Sequence, residues 1–340
     1  EYHIEIVEEC LHILYKTVAF YKSPEVVPPY DLNFLLNPQG LLSETFQLSS
    51  RCEEYTVKFV EQIVKFLDFT LNSRDICDLF YFIFKQVQSK TTIRSLMITM
   101  TLLIECDSNK FLELFIQRKV IQTFMQYVVN CGKELFNEVN IANVLIPCLK
   151  FTQKAIFLHN YYSKQTSILL KIISIDFFDY LYSNSSKKLA HQNISPDQEI
   201  MYLEILKIII DIFIIRINQN PDNDELNKIL ILFSNIIQNF SQVDFAYKGK
   251  IIIFIDEFLS KHKEDVYPIL IKEDSFGDDI PDFVFNSDDG NSIIRYLKIF
   301  NIMFDYALEN DEIGVDHLHS IYENINDSLC TLIDDVDTDQ

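Results

Sequence analysis

Glycine is the residue that this sequence lacks most clearly, with only 6 in 340 positions. Average proteins contain about 7% glycine. β-Sheets, barrels and nucleotide-binding loops use glycine for tight turns and for close approach of the backbone to a ligand. Helices joined by short polar loops need far less of it, so the composition predicts an all-α protein.

Paired cysteine motifs are also lacking. The seven cysteines are scattered, no two of them form a C-x-x-C pair, and their number is odd. This usage is typical of reduced thiols in an intracellular protein. We therefore expect a cytoplasmic location, with the nucleus as the alternative compartment, and no disulfide framework.

The chain contains no long run of apolar residues. The longest run without a charged residue is Ile229–Val243, which spans 15 residues and contains several serine, asparagine and glutamine side chains. A membrane-spanning helix needs about 20 predominantly apolar residues. The sequence therefore predicts no insertion into a membrane.

Sequence signatures of catalysis are missing as well. The chain contains no G-x-S-x-G, G-x-x-x-x-G-K-[ST], G-x-G-x-x-G or H-E-x-x-H motif. The DDxxD pattern at 278–282 is similar to the magnesium-binding motif of isoprenoid synthases, but it contains Pro281 and follows Gly277. His317 and His319 are two residues apart, so on a helix their side chains point to different sides. We predict no cofactor, no metal ion and no enzymatic activity.

Hydrophobic residues make up 48% of the sequence and recur at helical spacing along most of it. In the first segment, for example, the apolar residues at 4, 7, 11, 14, 15 and 18 form one stripe. The pattern predicts about 12–14 helices. They are expected at about 4–20, 43–71, 74–88, 91–106, 109–117, 118–131, 134–159, 162–183, 197–219, 223–240, 246–262, 264–271, 292–309 and 313–333.

Polar and proline-rich stretches separate these helices. We expect loops near 22–42, 184–196 and 272–290, and an acidic tail at 334–340. The stretch at 184–196 is a polar linker and the clearest break in the middle of the chain, but we still expect a single domain over residues 1–340.

Weak internal similarity points to repeated helical units. An I-x-x-L-x-I pattern occurs at Ile93, Ile200 and Ile294, and its intervals of 107 and 94 residues are compatible with helical units of about 35–50 residues. The alternative is that an isoleucine-rich helical chain produces this pattern by chance. The run TIRSLMITMTLLIECDSNKFLELFIQRKVIQTFMQYV, residues 92–128, resembles a unit of the armadillo/HEAT-like superfamily. That resemblance implies a right-handed α-solenoid of stacked helical hairpins. The tryptophan ladder of the armadillo import adaptors is absent, because the sequence has no tryptophan.

Negative charge is concentrated at the C-terminal end. The net charge of the chain is −21, and residues 264–340 contain 20 acidic and 3 basic residues, a net charge of −17. Such a segment would repel nucleic acid and attract a basic protein. The alternative is that it only keeps the end of the array soluble. The candidate partner-binding residues are Asp274, Asp278, Asp279, Asp282, Asp288 and Asp289.

The function that these patterns favour is non-catalytic. We expect a scaffold or regulatory subunit that binds a protein or peptide along the surface of the solenoid. A nuclear-transport or trafficking adaptor of the acidic solenoid type is one alternative, and an unrecognised all-α enzyme is another. The patterns contain no signal for an oligomeric state.

Overall fold

The computed structural model is helical throughout the part of the chain that it describes, and no strand occurs among those residues. The described residues are 2–20, 41–46, 48–66, 73–87, 89–162, 175–189, 194–240, 243, 245–272, 283, 289–310, 319, 322–323 and 326. The prediction of an all-α protein is confirmed.

Contacts between Cα atoms divide the chain into two compact units. Unit 1 comprises Glu1–Ser174 and Ser185–Ile208, and unit 2 comprises Ile175–Asn184 and Ile209–Gln340. The single domain expected from the sequence stays a prediction, because this division does not test it.

The helices described in the first half of the chain all belong to unit 1. They are α1 (Tyr2–Phe20), α2 (Leu41–Phe46), α3 (Ser50–Phe66), α4 (Ser73–Gln86), α5 (Lys90–Cys106), α6 (Ser108–Gln117), α7 (Val120–Cys131), α8 (Glu138–Asn140) and α9 (Ile146–Tyr162). A 3₁₀ turn, Gly132–Phe136, precedes α8, and a π-helical segment, Ile141–Leu145, joins α8 to α9.

The second half begins with two helices that the unit boundary divides. These are α10 (Ile175–Leu189) and α11 (Pro196–Ile217). The remaining helices belong to unit 2 and are α12 (Asn223–Gln238), α13 (Phe245–Lys261), α14 (Lys263–Lys272) and α15 (Gly290–Asn310).

The helices of unit 1 pack in two rows. In the first row α1 packs on α3, α3 on α5, and α5 on α9. In the second row α2 packs on α4, and α4 packs on α7, while α6 contacts helices of both rows. The core between the rows is rich in phenylalanine: the ring of Phe115 lies 5.9 Å from Phe80 and 6.5 Å from Phe151 between centroids, with the edge-to-face geometry that aromatic pairs prefer.

The helices of unit 2 enclose a second aromatic core. α13 packs on α14 and α15, and α12 packs on α14. Phe233 of α12 lies 5.6 Å from Phe254 and 5.2 Å from Phe258 of α13, and Phe213 of α11 lies 6.3 Å from Phe254. All four rings are fully buried, so they hold three helices of the unit together through apolar burial.

One predicted helix is two helices in the structure. The expected helix at 43–71 is interrupted at Leu48 and Ser49, between α2 and α3. Ser49 caps α3, because its Oγ accepts a hydrogen bond from the Cys52 backbone N–H at 3.0 Å. The same Oγ donates to Glu8 Oε1 of α1 at 2.6 Å. The serine thus starts a new helix and also joins it to its neighbour, which an unbroken helix could not do.

The predicted loop at 184–196 is shorter than expected. Residues 184–189 continue α10, although the sequence there, Asn-Ser-Ser-Lys-Lys-Leu, favours a turn. Ser185 is fully buried, and Asn184 donates a side-chain hydrogen bond to the Tyr180 carbonyl at 2.7 Å. Packing therefore overrides local propensity at this point. The loop prediction is wrong for 184–189.

Other predictions fall wholly or mostly outside the described residues. The loop at 22–42, most of the loop at 272–290, the start of the helix at 162–183, most of the helix at 313–333 and the tail at 334–340 belong to this group. They stay predictions.

One described helical stretch, Glu138–Leu158, is long and apolar enough to cross a bilayer by length and composition, with a mean hydropathy of 1.3. However, 56% of that stretch is buried inside the protein. The same length and composition occur in the core helices of folded proteins. The absence of membrane insertion stays a prediction.

Candidate functional site

The predicted acidic set is represented in the described residues by Asp289 alone. It directly precedes α15, and its Oδ2 accepts a hydrogen bond from Ser292 Oγ at 2.6 Å while Oδ1 accepts from the Asn291 backbone N–H at 3.1 Å. These bonds lower the pKa of Asp289, with the Ser292 hydroxyl as the main cause. Asp289 is therefore a helix N-cap. Its binding role stays a prediction, and the other five members of the set lie outside the described residues.

Asp289 also lines an open cleft of about 830 Å³ at the side of α13 and α15. The centre of the cleft is Asp256 of α13, whose side chain is only 8% exposed. Its Oδ2 accepts from Arg295 Nη1 at 2.8 Å, and its Oδ1 accepts from Lys298 Nζ at 3.0 Å. One carboxylate thus holds two cations of α15.

This arrangement suits a structural clamp better than a catalytic acid or base. Both oxygens of Asp256 already accept hydrogen bonds from charged donors, and such bonds are the strong ones. The two cations hold the carboxylate in a fixed position between α13 and α15. We therefore assign Asp256 to holding α15 against α13.

A second concavity lies in unit 1, where α5, the π-helical segment with α9, and the first half of α11 form a groove of about 430 Å³. We call it the α5/α9/α11 groove. Most of its surface is apolar and comes from Ile98, Leu102, Ala142, Ile146, Pro147 and Met201. π-Helical insertions are frequent at functional sites, and here the segment Ile141–Leu145 contributes Ala142 to the groove.

Charged side chains surround this groove. Lys150 of α9 forms an ion pair with Glu204 of α11, and Lys154 of α9 forms one with Glu105 of α5 at 2.9 Å. Arg94 of α5 also lines the groove and is exposed, but it forms no ion pair or hydrogen bond with any residue in the described part of the chain. Of the two cations that line the groove, Lys150 therefore has an anionic partner among the described residues and Arg94 has none.

Apolar side chains continue along the helix faces that form the groove. Ile98 is 39% exposed, and the exposed fraction is 53% for Phe157 of α9 and 64% for Ile200 of α11. Phe157 follows Lys150 and Lys154 at helical spacing, and Ile200 precedes Glu204 by four residues, so each shares a face with charged residues of the groove.

Reactive side chains are not gathered in either concavity. The described residues contain no group of three or more histidine, cysteine, aspartate or glutamate side chains that could hold a metal ion. Cys77 is buried, and burial raises the pKa of its thiol to about 12, which keeps it protonated and unreactive. His319 Nε2 lies 3.8 Å from Glu323 Oε1 on the surface. His317 and the DDxxD pattern lie outside the described residues.

The sequence matches no protein-family model, no curated protein and no solved structure. The resemblance of residues 92–128 to the armadillo/HEAT-like superfamily therefore stays a prediction.

The α5/α9/α11 groove was not predicted from the sequence, although one sequence pattern includes a residue that lines it. The I-x-x-L-x-I pattern includes Ile98 and Ile200, and the structure exposes both. The three copies differ in burial: the first begins with buried Ile93, whereas the second and third begin with exposed Ile200 and Ile294 and end in fully buried isoleucines. The first copy therefore stands in another register, and the repeat stays a prediction.

Proposed function

We propose that this chain is a non-catalytic scaffold or regulatory subunit, built as a right-handed α-solenoid, that binds a protein partner in the α5/α9/α11 groove. The observation that carries this proposal is the groove itself, which has an apolar floor and is bordered by charges. Interfaces have this organisation, with an apolar centre and a polar rim.

The packing of unit 1 supports the solenoid part of the proposal. In a helical-repeat array each unit contacts mainly its neighbours, and equivalent helices stack in rows. The succession of α1, α3, α5 and α9 in one row, beside α2, α4 and α7 in the other, follows that rule. A row of parallel helix faces leaves shallow grooves on its outer side, and such faces are the usual binding surfaces of these proteins.

The position of the polar groups favours binding over chemistry. A catalytic site needs a nucleophile, base or electrophile that converges on one point in an enclosed pocket. In the α5/α9/α11 groove the apolar side chains form the floor, and Lys150 and Glu204 satisfy each other. This arrangement provides area for contact and no reacting group at its centre.

The acidic C-terminal segment supports an additional partner contact. Residues 264–340 carry a net charge of −17, and a field of this size increases the rate at which a basic partner associates. We propose that a basic protein segment binds the set from Asp274 to Asp289. Within the cleft of unit 2, Asp256 is already neutralised by Arg295 and Lys298, so the contact would use other carboxylates.

An affinity capture from a lysate of the source organism tests both contacts. We would compare the wild-type chain with Ile98→Asp/Met201→Asp, which places two charges in the groove, and with Ile231→Asp as the matched control. Ile231 lies on α12 and is 65% exposed, so the control adds a charge at an exposed isoleucine elsewhere. A stoichiometric protein that is lost only with the groove variant supports the proposal.

A variant in which Asp274, Asp278, Asp279, Asp282, Asp288 and Asp289 are changed to asparagine tests the acidic contact. A partner that this variant loses supports recruitment through charge, and a partner that it retains assigns the segment to solubility. Recovery of a small GTPase or of a localisation peptide would identify a transport adaptor. Recovery of a bound small molecule without any protein would contradict the scaffold.

A further inference from the structure

We infer that the α5/α9/α11 groove accepts an amphipathic helix of a partner protein, and that this helix carries a carboxylate that pairs with Arg94. The inference rests on the proposed function and specifies the chemistry of the partner at that site. It follows from three properties of the groove, namely its shape, its apolar floor and its unbalanced charge.

The shape of the groove suits a helix. Its walls are helices, and no strand edge is present among the described residues that could pair with an extended peptide. In the helix-in-groove mode, an amphipathic helix inserts apolar side chains at i, i+3, i+4 and i+7 between helices of its partner. The groove has a volume of about 430 Å³, which would be filled by the anchoring side chains of such a helix.

The floor of the groove gives the binding energy in this view. Ile98 and Leu102 of α5 and Met201 of α11 would be removed from water together by one apolar ridge, whereas Ile146 is already only 7% exposed. Methionine adapts to partner surfaces of different shape, and Ile98 is 39% exposed, so its side chain is accessible. Contact with these apolar side chains does not depend on the charge of the partner.

The charge of the partner follows from Arg94. Lys150 and Lys154 are held by Glu204 and Glu105, so they offer little to a second anion. Arg94 has no anionic partner in the described part of the chain. Its planar guanidinium binds a carboxylate through two parallel hydrogen bonds, and a partner that covered Arg94 without an anion would leave a desolvated charge. An acidic side chain on the docked helix satisfies this cation.

Other ligand chemistries fit the groove less well. Nucleic acid requires several cations that are free to neutralise phosphates, and the groove has one. A basic helix would place like charge against Arg94. The residues that line the groove, Arg94, Lys150 and Glu204 among them, have a net positive charge, and this local charge favours an acidic partner.

The test uses the full chain and a displayed library of peptides of about 16 residues, a length at which helices form. The library has leucine at i, i+3 and i+7, and all other positions are random among polar residues and alanine. Selection on the wild-type chain should enrich aspartate or glutamate at one end of the leucine stripe. A selected peptide, labelled for fluorescence polarisation, should then bind Arg94→Glu about tenfold more weakly than wild type, because like charges oppose each other.

A charge exchange makes the result specific. A peptide in which the selected carboxylate is replaced by lysine should bind Arg94→Glu better than it binds wild type. Lys187→Glu is the matched control, since Lys187 is exposed on α10 and its change alters the net charge equally. If Lys187→Glu weakens binding as much as Arg94→Glu does, the effect is long-range and the pairing with Arg94 is refuted.

Different outcomes contradict the binding of an acidic helix and the binding function of the groove. Peptides that bind, that are lost with Ile98→Asp/Met201→Asp, and that show no acidic preference would refute the inference and leave the proposed function intact. Peptides whose affinity is unchanged by the groove variant would place binding elsewhere and refute both. Circular dichroism of each variant must match that of wild type for the comparison to count.

Discussion

The two units of this protein place their charged side chains differently. In unit 1 the ion pairs between helices lie on the surface: the side chains of Lys154 and Glu105 are 38% and 42% exposed, and those of Lys150 and Glu204 are 55% and 38% exposed. In unit 2, two of the charged side chains that join helices are buried. The Arg216 side chain is 2% exposed, and that of Asp256 is 8% exposed.

This difference indicates what each unit depends on for its stability. Surface pairs contribute about 0–1 kcal/mol each, so unit 1 depends on apolar burial between its rows. A buried charge must be neutralised by its partner, because a buried charge without a partner costs several kcal/mol. Unit 2 therefore depends on the partners of Arg216 and Asp256, whereas the pairs Lys150–Glu204 and Lys154–Glu105 of unit 1 can change with little loss of stability. Because its surface ion pairs contribute little to stability, unit 1 can place charged side chains around a binding groove at little cost to the fold.

Arg216 shows the dependence of unit 2 most directly. It lies in the last turn of α11, its guanidinium stands 5.9 Å from the centre of the Phe178 ring, and it forms an ion pair with Glu225 in the first turn of α12. Burial lowers the pKa of Arg216, and the charge of Glu225 opposes that shift. The pair connects two successive helices across the turn at 218–222.

The largest effect that we predict is therefore for Arg216→Ala. The change leaves Glu225 without its partner and should lower the free energy of unfolding by about 3–5 kcal/mol, the usual cost of breaking a buried pair. Urea unfolding followed by circular dichroism measures it, and hydrogen exchange should locate the loss of protection within 209–272. The surface control Lys150→Ala should cost at most about 1 kcal/mol.

A double variant sharpens this prediction. Arg216→Met/Glu225→Met removes both charges and keeps apolar volume, so it should recover most of the stability that Arg216→Ala loses. Equal losses for Arg216→Ala and Lys150→Ala would show that the two units do not differ in this respect.

The next effect in size is expected for Asp256→Asn in unit 2, compared with Glu204→Gln in unit 1. Asparagine cannot hold Arg295 and Lys298 with charge-assisted bonds, and the loss should be about 1.5 kcal/mol, since bonds to charged groups contribute about 1.5–3 kcal/mol and both cations can regain water. Glu204→Gln should cost less than about 1 kcal/mol. Thermal unfolding of both variants at low salt and at 1 M salt measures the difference.

The salt dependence of stability distinguishes Asp256→Asn from Glu204→Gln. High salt screens exposed charges much more than buried ones, so the small effect of Glu204→Gln should vanish at 1 M salt while most of the effect of Asp256→Asn persists. If both effects vanish together, Asp256 is accessible to ions and our assignment of a buried clamp is wrong.

Helices were largely predictable from this sequence because periodicity and end signals agree. The expected helix at 91–106 corresponds to α5, Lys90–Cys106, and the one at 223–240 corresponds to α12, Asn223–Gln238. Each is followed or preceded by a capping aspartate: Asp107 accepts from the Lys110 backbone N–H, and Asp222 accepts from that of Glu225. Such caps bond within four residues of the helix end, so the nearby sequence is enough to predict them.

The errors arose where a distant contact decides the local structure. Ser49 begins α3 and bonds to Glu8, which is 41 residues away in the sequence. The turn-like residues after Asn184 remain helical, and Ser185 among them is fully buried. In both places the chain follows tertiary packing against its own local preference, and local pattern reading carries no information about that packing.

The candidate site was not predictable for a related reason. Periodicity separates the exposed face of a helix from the buried face, but it does not show which exposed faces meet. The α5/α9/α11 groove combines residues near 98, 146 and 201, and the lack of an ion pair at Arg94 depends on what neighbouring helices place beside it. Net charge, in contrast, is a property of the sequence, and the acidic segment at 264–340 was evident without a structure.

The smallest effect that we predict concerns the close approach of α13 and α15 in unit 2. Gly249 lies inside α13, and a Cβ there would meet Ser292 Oγ at 3.1 Å. That hydroxyl is held by Asp289 Oδ2 at 2.6 Å, so it cannot move away freely. Alanine is favoured over glycine in a helix by about 1 kcal/mol, and in the wild-type chain the tight contact should cancel this gain.

Removal of the Ser292 hydroxyl should allow alanine at position 249 to stabilise α13. Gly249→Ala should stabilise a Ser292→Ala background by about 1 kcal/mol while leaving the otherwise wild-type chain unchanged or slightly less stable, and urea unfolding of the four chains measures this coupling. Gly290→Ala is the control, because a Cβ at Gly290 meets no atom within 4 Å, and its effect should not depend on Ser292. If Gly249→Ala has the same effect in both backgrounds, the glycine is not needed for contact between the helices. In that case the packing of unit 2 depends on its buried charge pairs more than on the close fit of its backbones.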